Sequence, residues 1–250
     1  EVTLTVNAVN DAPVLATVSD ISFDEDTIGT LTISANDLDG DQITYSIIGG
    51  NSITASIIDN IVNFTPPQDF TGNEAFTIIV SDGILQDSQG FIVTFNNVND
   101  DPVALDEDIE TNEDQDVVII LSASDIDNDI LSYSIVSQPI YGTLELNGNI
   151  VIYTPLLNES GVVDSFIYNV SDGNLSDDGT INITINAIND APVIELISDQ
   201  QIDEDTQLAY QIIAYDYDEN DEITYSTYTS NVNITSWIVE DTLNLLPDTN

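Results

Sequence analysis

The chain has 250 residues, of which 46 are Asp or Glu and none is Lys, Arg, His, Cys or Met, giving a formal net charge of −46. With no basic side chain it has nothing to neutralise nucleic-acid phosphates and no His or Lys to activate a Ser or Thr nucleophile. Without His or Cys it cannot build zinc, copper or haem sites, so what remains is carboxylate chemistry: hard-cation binding, or paired acids acting on a sugar or a peptide.

The composition is nevertheless that of a folding chain. Hydrophobic residues make up 42% and charged residues only 18%, whereas an acidic disordered segment has few β-branched residues. Charge of one sign repels itself, so external cations are expected to screen the fold. There is no apolar run of membrane-spanning length and no signal-peptide pattern. The sequence therefore reads as an interior segment of something larger, with no membrane insertion of its own.

In chain order, the hydrophobic period is two. Residues 1–8 alternate with Val2, Leu4, Val6 and Ala8 on one side. Leu31, Ile33 and Ala35 follow, then Ile43, Tyr45 and Ile47, then Phe76, Ile78 and Val80, then Phe91, Val93 and Phe95. Half-buried strands have this pattern, and no amphipathic helix interrupts it. Tyr45, Tyr133 and Tyr225 fall in register inside strands and read as core. Short strands parted by Asp, Asn and Gly turns, about seven per module, predict an all-β antiparallel sandwich.

The landmarks recur three times. Asn10-Asp11-Ala12-Pro13 returns as Asn99-Asp100-Asp101-Pro102 and Asn189-Asp190-Ala191-Pro192. Glu25-Asp26 returns as Glu113-Asp114 and Glu204-Asp205, and Asp37-x-Asp39 as Asp125-x-Asp127 and Asp216-x-Asp218. Val80-Ser81-Asp82-Gly83 returns once, as Val170-Ser171-Asp172-Gly173. The boundaries follow: residues 1–8 are the last strand of a preceding repeat, 9–97 repeat 1, 98–187 repeat 2, and 188–250 a third repeat that stops before its Ser-Asp-Gly landmark.

Strand parity sorts the acids by end. If the strand after Pro13 descends, Glu25 lies at the bottom of repeat 1, with Asp69 or Glu74. Asp37, Asp39 and Asp82 lie at its top. Stacking two repeats then brings Glu25, the linker residues Asn97, Asn99, Asp100 and Asp101, and Asp125, Asp127 and Asp172 from the top of repeat 2 to one junction. Six to eight oxygen ligands, several of them carboxylates, suit Ca²⁺ better than the tight octahedron of Mg²⁺. Asp216-x-Asp218-x-Asn220 has the start of an EF-hand loop, but Asp221 replaces its glycine and Thr227 stands where its bidentate Glu belongs.

With these residues placed, the chain resembles bacterial cadherin-like repeats of large surface adhesins. Repeat 2 carries the fullest match, in Gln138-Pro139-x-x-Gly142-Thr143-Leu144, Tyr153-Thr154-Pro155 and Asp164-Ser165-Phe166-x-Tyr168. The resemblance implies tandem Greek-key sandwiches, cadherin-like or immunoglobulin-like, arranged end to end as a rod with calcium between repeats. It assigns the lower Glu role to Glu25, Glu113 and Glu204, and the Asp-x-Asp role to Asp37/Asp39, Asp125/Asp127 and Asp216/Asp218. The upper Asp becomes Asp82 and Asp172, and the linker pairs become Asn10-Asp11, Asn99-Asp100 and Asn189-Asp190. The usual Asp two residues before the linker Asn is Ala8, Asn97 and Ala187 here, and no Leu-Asp-Arg-Glu motif occurs.

The functional expectation is a non-enzymatic, calcium-rigidified stalk of an extracellular adhesin or surface filament at the cell surface. Its partners are calcium ions and neighbouring repeats of the same chain. The alternatives are a module that recognises a glycan or protein, with Tyr210, Tyr215, Tyr217 and Trp237 as the aromatic enrichment, and a filament subunit assembling by strand donation.

Overall fold

The computed structural model describes residues 2–203, 205–218, 221–230 and 233–247. Glu204 and Asn220, both singled out above, lie outside the described residues. Everything described is strand, turn or loop, with no helix. The chain divides into two compact units, Glu1–Asp101 with Asp125–Asp129, and Pro102–Ser124 with Ile130–Asn250.

The first unit holds β1 (Val14–Leu15), β2 (Ile21–Asp24), β3 (Gly29–Thr32), β4 (Ala35–Asn36), β5 (Thr44–Gly49), β6 (Thr54–Ile58), β7 (Ile61–Thr65), β8 (Gly72–Ser81) and β9 (Gln86–Asn96). One sheet has the order β2-β9-β8-β5 and the other β3-β7-β6, with β1 and β4 forming a short pair. Counting β1 with β2 and β3 with β4 as interrupted strands gives the seven of a sandwich. The expectation of a purely antiparallel sandwich needs one correction. The first strand breaks after Leu15 and changes sheets, so β2 pairs with the last strand, β9, in parallel. Alternation points Phe64, Phe76, Phe91 and Phe95 inward with Val62, Ile78, Val80 and Val93, all buried. Phe64 meets Phe76 edge-on at a centroid distance of 5.1 Å, a favourable aromatic arrangement.

The second unit repeats this plan with β10 (Val103–Ala104), β11 (Glu107–Asn112), β12 (Val117–Ile120), β13 (Ala123–Ser124), β14 (Ser132–Ser137), β15 (Gly142–Asn147), β16 (Ile150–Pro155), β17 (Val162–Ser171) and β18 (Ser176–Asn186). The sheets are β11-β18-β17-β14 and β12-β16-β15, and β11 again runs parallel to the last strand. The same unit includes β19 (Val193–Ile194), β20 (Leu208–Gln211), β21 (Ala214–Tyr215), β22 (Ile234–Val239) and β23 (Thr242–Pro247), with the sheet β20-β23-β22.

Two alternating segments form no strand. Val2, Leu4 and Val6 are exposed, and residues 2–8 join no sheet among the described residues. Residues 223–228, around Tyr225, likewise join no sheet among the described residues, although Thr227 donates to Ser236 Oγ at 3.5 Å. Their counterparts β5 and β14 pair only with β8 and β17, and no such strand follows β23 among the described residues.

The two cores differ in a coupled way. Where unit 1 has Phe64 and Ile78, unit 2 has Tyr153 and Tyr168, fully buried, and a buried hydroxyl needs a partner. Tyr168 donates to the carbonyls of Leu105 and Ser122, at 2.8 and 2.9 Å. Tyr153 donates to Asp164 Oδ2 at 2.8 Å, and burial together with that carboxylate raises the Tyr153 pKa. Asp164, only 3% exposed, also accepts the backbone N–H groups of Ile140, Tyr141 and Ser165. Its counterpart Glu74 accepts those of Asn51, Ser52 and Ile53 at 2.7–3.1 Å. Glu74 thus clamps the loop between β5 and β6. This corrects its placement among the junction acids: three converging N–H groups already occupy its oxygens.

Asp164→Ala is expected to lower the unfolding free energy by about 2–4 kcal/mol, since it strands several buried donors at once. Urea denaturation monitored by tyrosine fluorescence measures this. Tyr153→Phe, which removes one of the four donors and fills the same space, is expected to cost less.

Candidate metal centre

The acids are positioned by backbone geometry that recurs from repeat to repeat. The N–H of Glu25 donates to the Asn96 carbonyl, and Glu25 Oε1 accepts the N–H of Val98 at 2.8 Å. Glu113 does the same with Asn186 and with Ile188, at 2.7 Å. Each Glu therefore holds its carboxylate against the start of the following linker. The residue after it adopts a left-handed conformation, φ 57° at Asp26 and 56° at Asp114, which Asp tolerates better than most residues. That turn lets Asp26 Oδ1 accept the N–H of Asp69 at 3.0 Å and Asp114 Oδ1 that of Asn158 at 2.9 Å.

The linkers are held from their other end by the Asp-x-Asp turns. The N–H groups of Asp11, Asp100 and Asp190 donate to Asp39, Asp127 and Asp218 at 2.7, 2.8 and 2.5 Å. The linker asparagines Asn10, Asn99 and Asn189 each donate a side-chain N–H to the next residue's carbonyl. Asn10 also donates to Asp82 Oδ2 at 2.8 Å. Asp82 and Asp172 each cap their own turn through two backbone N–H groups. The hydrogen bond from Asn10, followed by those from Ile84 and Leu85, lowers the Asp82 pKa.

Carboxylate oxygens converge in groups of three. Glu25, Asp100 and Asp127 each bring one oxygen within 4.8 Å of the others. So do Asp26, Asp69 and Asp100, then Asp125, Asp127 and Asp129, and then Asp216, Asp218 and Asp221. Asp100 belongs to two of these groups. The Oδ2 atoms of Asp37, Asp100, Asp125 and Asp190 are buried and accept no hydrogen bond. Burial raises the Asp100 pKa, and Asp69, Asp127, Asp26 and Glu25 add to it. Burial also raises that of Asp190, with Glu113, Asp218, Asp114 and Asp216 adding to it.

The residues expected at the first junction separate accordingly. Glu25, Asp100, Asp125 and Asp127 fall within the first unit's carboxylate clusters, while Asp101 is exposed and joins none of them; Asn97 is exposed. Asp69 belongs to a cluster, unlike Glu74. Asp26, Asp114, Asp129 and Asp221 were not assigned a ligand role from sequence, although Glu-Asp recurs as a pair. What places Asp26 and Asp114 is the left-handed turn, which brings them beside the acid or Asn of a distant loop.

Oxygens 4.8 Å apart or closer match the span across a hard cation with ligands at about 2.3–2.6 Å. Buried ionised oxygens with neither donor nor counter-charge are costly, and the chain contains no Lys, Arg or His to supply one. The donor set, all oxygen and mostly carboxylate, fits Ca²⁺.

A family model for the bacterial Ig domain matches residues 10–94 and again residues 99–184. The chain belongs to the bacterial Ig domain family. No curated protein matches it. Among solved structures, the first two repeats of human protocadherin-24 are 22% identical, with a TM-score of 0.50 over 72% of this chain and 100% of that one. The likeness is one of fold, and the sandwich is the cadherin-like and Ig-like one that the resemblance implied. Two weaker likenesses are the titin domains z1z2, 8% identical with a TM-score of 0.32 over 72% of this chain and 100% of that one, and an endo-fucoidan hydrolase of glycoside hydrolase family 107, 20% identical with a TM-score of 0.33. The match to the hydrolase covers 74% of this chain and 30% of the enzyme.

The raised pKa values have a definite sign. A carboxyl whose folded pKa exceeds its unfolded value binds protons more tightly when folded, so stability rises as pH falls through the folded value. Without divalent cations, the protein is expected to gain thermal stability as pH falls from neutral toward the ordinary Asp value of 3.8. An Asp100→Asn, Asp190→Asn double variant is expected to gain less. Melting curves in chelator across that range compare the two.

Proposed function

We propose that this segment is a non-enzymatic, calcium-stiffened spacer in an extracellular bacterial surface protein, serving adhesion by holding a binding region away from the cell. The observation that carries the reading is the recurrence of buried, donorless Asp oxygens where the linkers meet the Asp-x-Asp turns. Glu25, Asp100 and Asp127 would hold one ion, and Asp26 and Asp69 a second that shares Asp100. Glu113, Asp190 and Asp218, with Asp114, would do the same at the next linker. A bound ion supplies the positive charge the sequence lacks and ties each linker to turns distant in sequence. Without it, the same carboxylates repel and the linker is released. Extracellular modules bind calcium at about 10⁻⁴–10⁻³ M, so the sites would fill outside a cell.

The non-enzymatic reading is supported by where the acids stand. The repeated carboxylates cluster around linkers and turns.

Calcium is expected to raise the melting temperature, and the substitutions are expected to change sign with it. In chelator, Asp100→Asn or Asp190→Asn relieves repulsion and leaves the melting temperature equal or higher. In millimolar calcium the same variants melt lower than the parent, because a ligand that binds only the folded state stabilises it by mass action. Small-angle scattering gives the accompanying shape change, with a longer maximum dimension in calcium than in chelator. A dimension and a melting temperature both indifferent to calcium would refute the proposal.

A further inference from the structure

The third repeat is enriched in aromatic residues, and the structure separates them. Tyr210 and Trp237 lie in the sheet β20-β23-β22. Tyr215 and Tyr217 flank Asp216 on the Asp-x-Asp turn, where repeat 1 has Asn36 and Leu38 and repeat 2 has Ser124 and Ile126. Their rings meet edge to face, with centroids 5.4 Å apart and planes at 87°. Of the described aromatic residues, only these two and Tyr228 are exposed.

Tyr217 also lines a crevice of about 360 Å³ within the second unit, whose other walls are Asn158, Glu159, Ser160, Gly161, Ala187 and Asp218. Backbone hydrogen bonds fasten both sides. The N–H of Asn158 donates to Asp114 Oδ1 at 2.9 Å, that of Glu159 to the Leu156 carbonyl and that of Gly161 to the Ile185 carbonyl. On the other side, Asp218 accepts the N–H of Asp190 and donates its own to Asp216. The walls are therefore set before any ligand arrives, so little ordering is needed on binding.

Charge narrows the ligand. No Lys, Arg or His stands anywhere in the chain to hold an anion. A neutral sugar would use the ring and the acceptors but leave the Glu159 and Asp218 carboxylates without a counter-charge. A hard metal ion takes oxygens and not rings. An ammonium is attracted both by carboxylates and by the face of an aromatic ring. A primary ammonium also has three hydrogens to donate to the oxygens of Asn158, Glu159, Ser160 and Asp218. These acceptors belong to separate residues, which suits the compact ammonium better than the planar guanidinium fork. We propose that the crevice at Tyr217 binds a lysine side chain of a basic partner protein, with its methylene stem along the tyrosine rings and its ammonium toward Glu159 and Asp218. Neither this chain nor a second copy can supply that lysine. The net charge of −46 draws a basic protein in from a distance, and the rings select the place. Glu159 joins none of the carboxylate clusters, so its charge persists when calcium fills them.

An NMR titration of the isotope-labelled chain with Nα-acetyl-lysine methylamide, in millimolar calcium, tests the proposal. Shifts are expected to be confined to residues 158–161, 187 and 215–218 and to saturate together. The Nε-acetylated probe, with the same stem and no charge, is expected to bind about tenfold more weakly. Tyr215→Ser combined with Tyr217→Ile gives the turn the side chains of repeat 2 and keeps every acid, and it is expected to weaken the lysine probe by a similar factor. Glu159→Gln, which leaves the rings in place, is expected to weaken it as well and decides the matter if the double variant unfolds. An absence of shifts, shifts spread over all the acid clusters, equal binding of the acetylated probe, or undiminished binding in the variants would overturn the assignment. Glucose binding to the same residues as tightly as the lysine probe would overturn it in favour of a sugar site.

Discussion

The structure depends on how carboxylates are satisfied in a chain that has no cationic side chain. An acid here has three partners available: water, an N–H or O–H group of the chain, or a cation from outside. Glu74 and Asp164 take the second course, each collecting backbone N–H groups of one loop. Asp20, Asp87, Asp106 and Asp177 do so on the strand edges, accepting from Ile92, Leu15, Thr180 and Ala104. In proteins of ordinary composition Lys and Arg share that task. Here the backbone carries it, so acids serve as turn and edge clamps.

The linker acids differ because the backbone satisfies them only in part. Asp100 and Asp190 each use their own N–H to fasten the linker to an Asp-x-Asp turn, and each keeps a buried Oδ2 with no donor. The contrast with Asp164 is instructive. That carboxylate is more deeply buried, yet it receives four hydrogen bonds. The linker oxygens are surrounded by other acids, which have no hydrogen to donate when ionised. Burial with donors makes a structural clamp, and burial among acids makes a place for a hard cation.

Charge differs between sheet edges. Acids lie on β2 and β11, outer strands of the four-stranded sheets, whereas β3, β5 and β6 carry none. Proteins commonly blunt an exposed edge with charge, and here only acids are available for it.

Much of this was legible in the sequence, for physical reasons. Period-two alternation at Phe76, Ile78 and Val80 can be satisfied only by strands with one face buried, and seven such strands per repeat leave few architectures. The recurrence of Asn-Asp, Glu-Asp and Asp-x-Asp in fixed order marked the linkers and turns, and the missing basic residues limited their chemistry to carboxylates and imported cations. Tertiary structure decided what local pattern does not encode. The parallel pairing of β2 with β9 depends on where the first strand changes sheets. Residues 2–8 and 223–228 alternate as strands do, yet join no sheet among the described residues, because a strand exists only with a neighbour. Glu74 and Asp69 are close in sequence and alike in chemistry. Only the packed chain separates them, giving Glu74 three N–H groups from one loop and setting Asp69 against the left-handed turn at Asp26. Composition determined which chemistry was available, and three-dimensional proximity decided which of the acids share it.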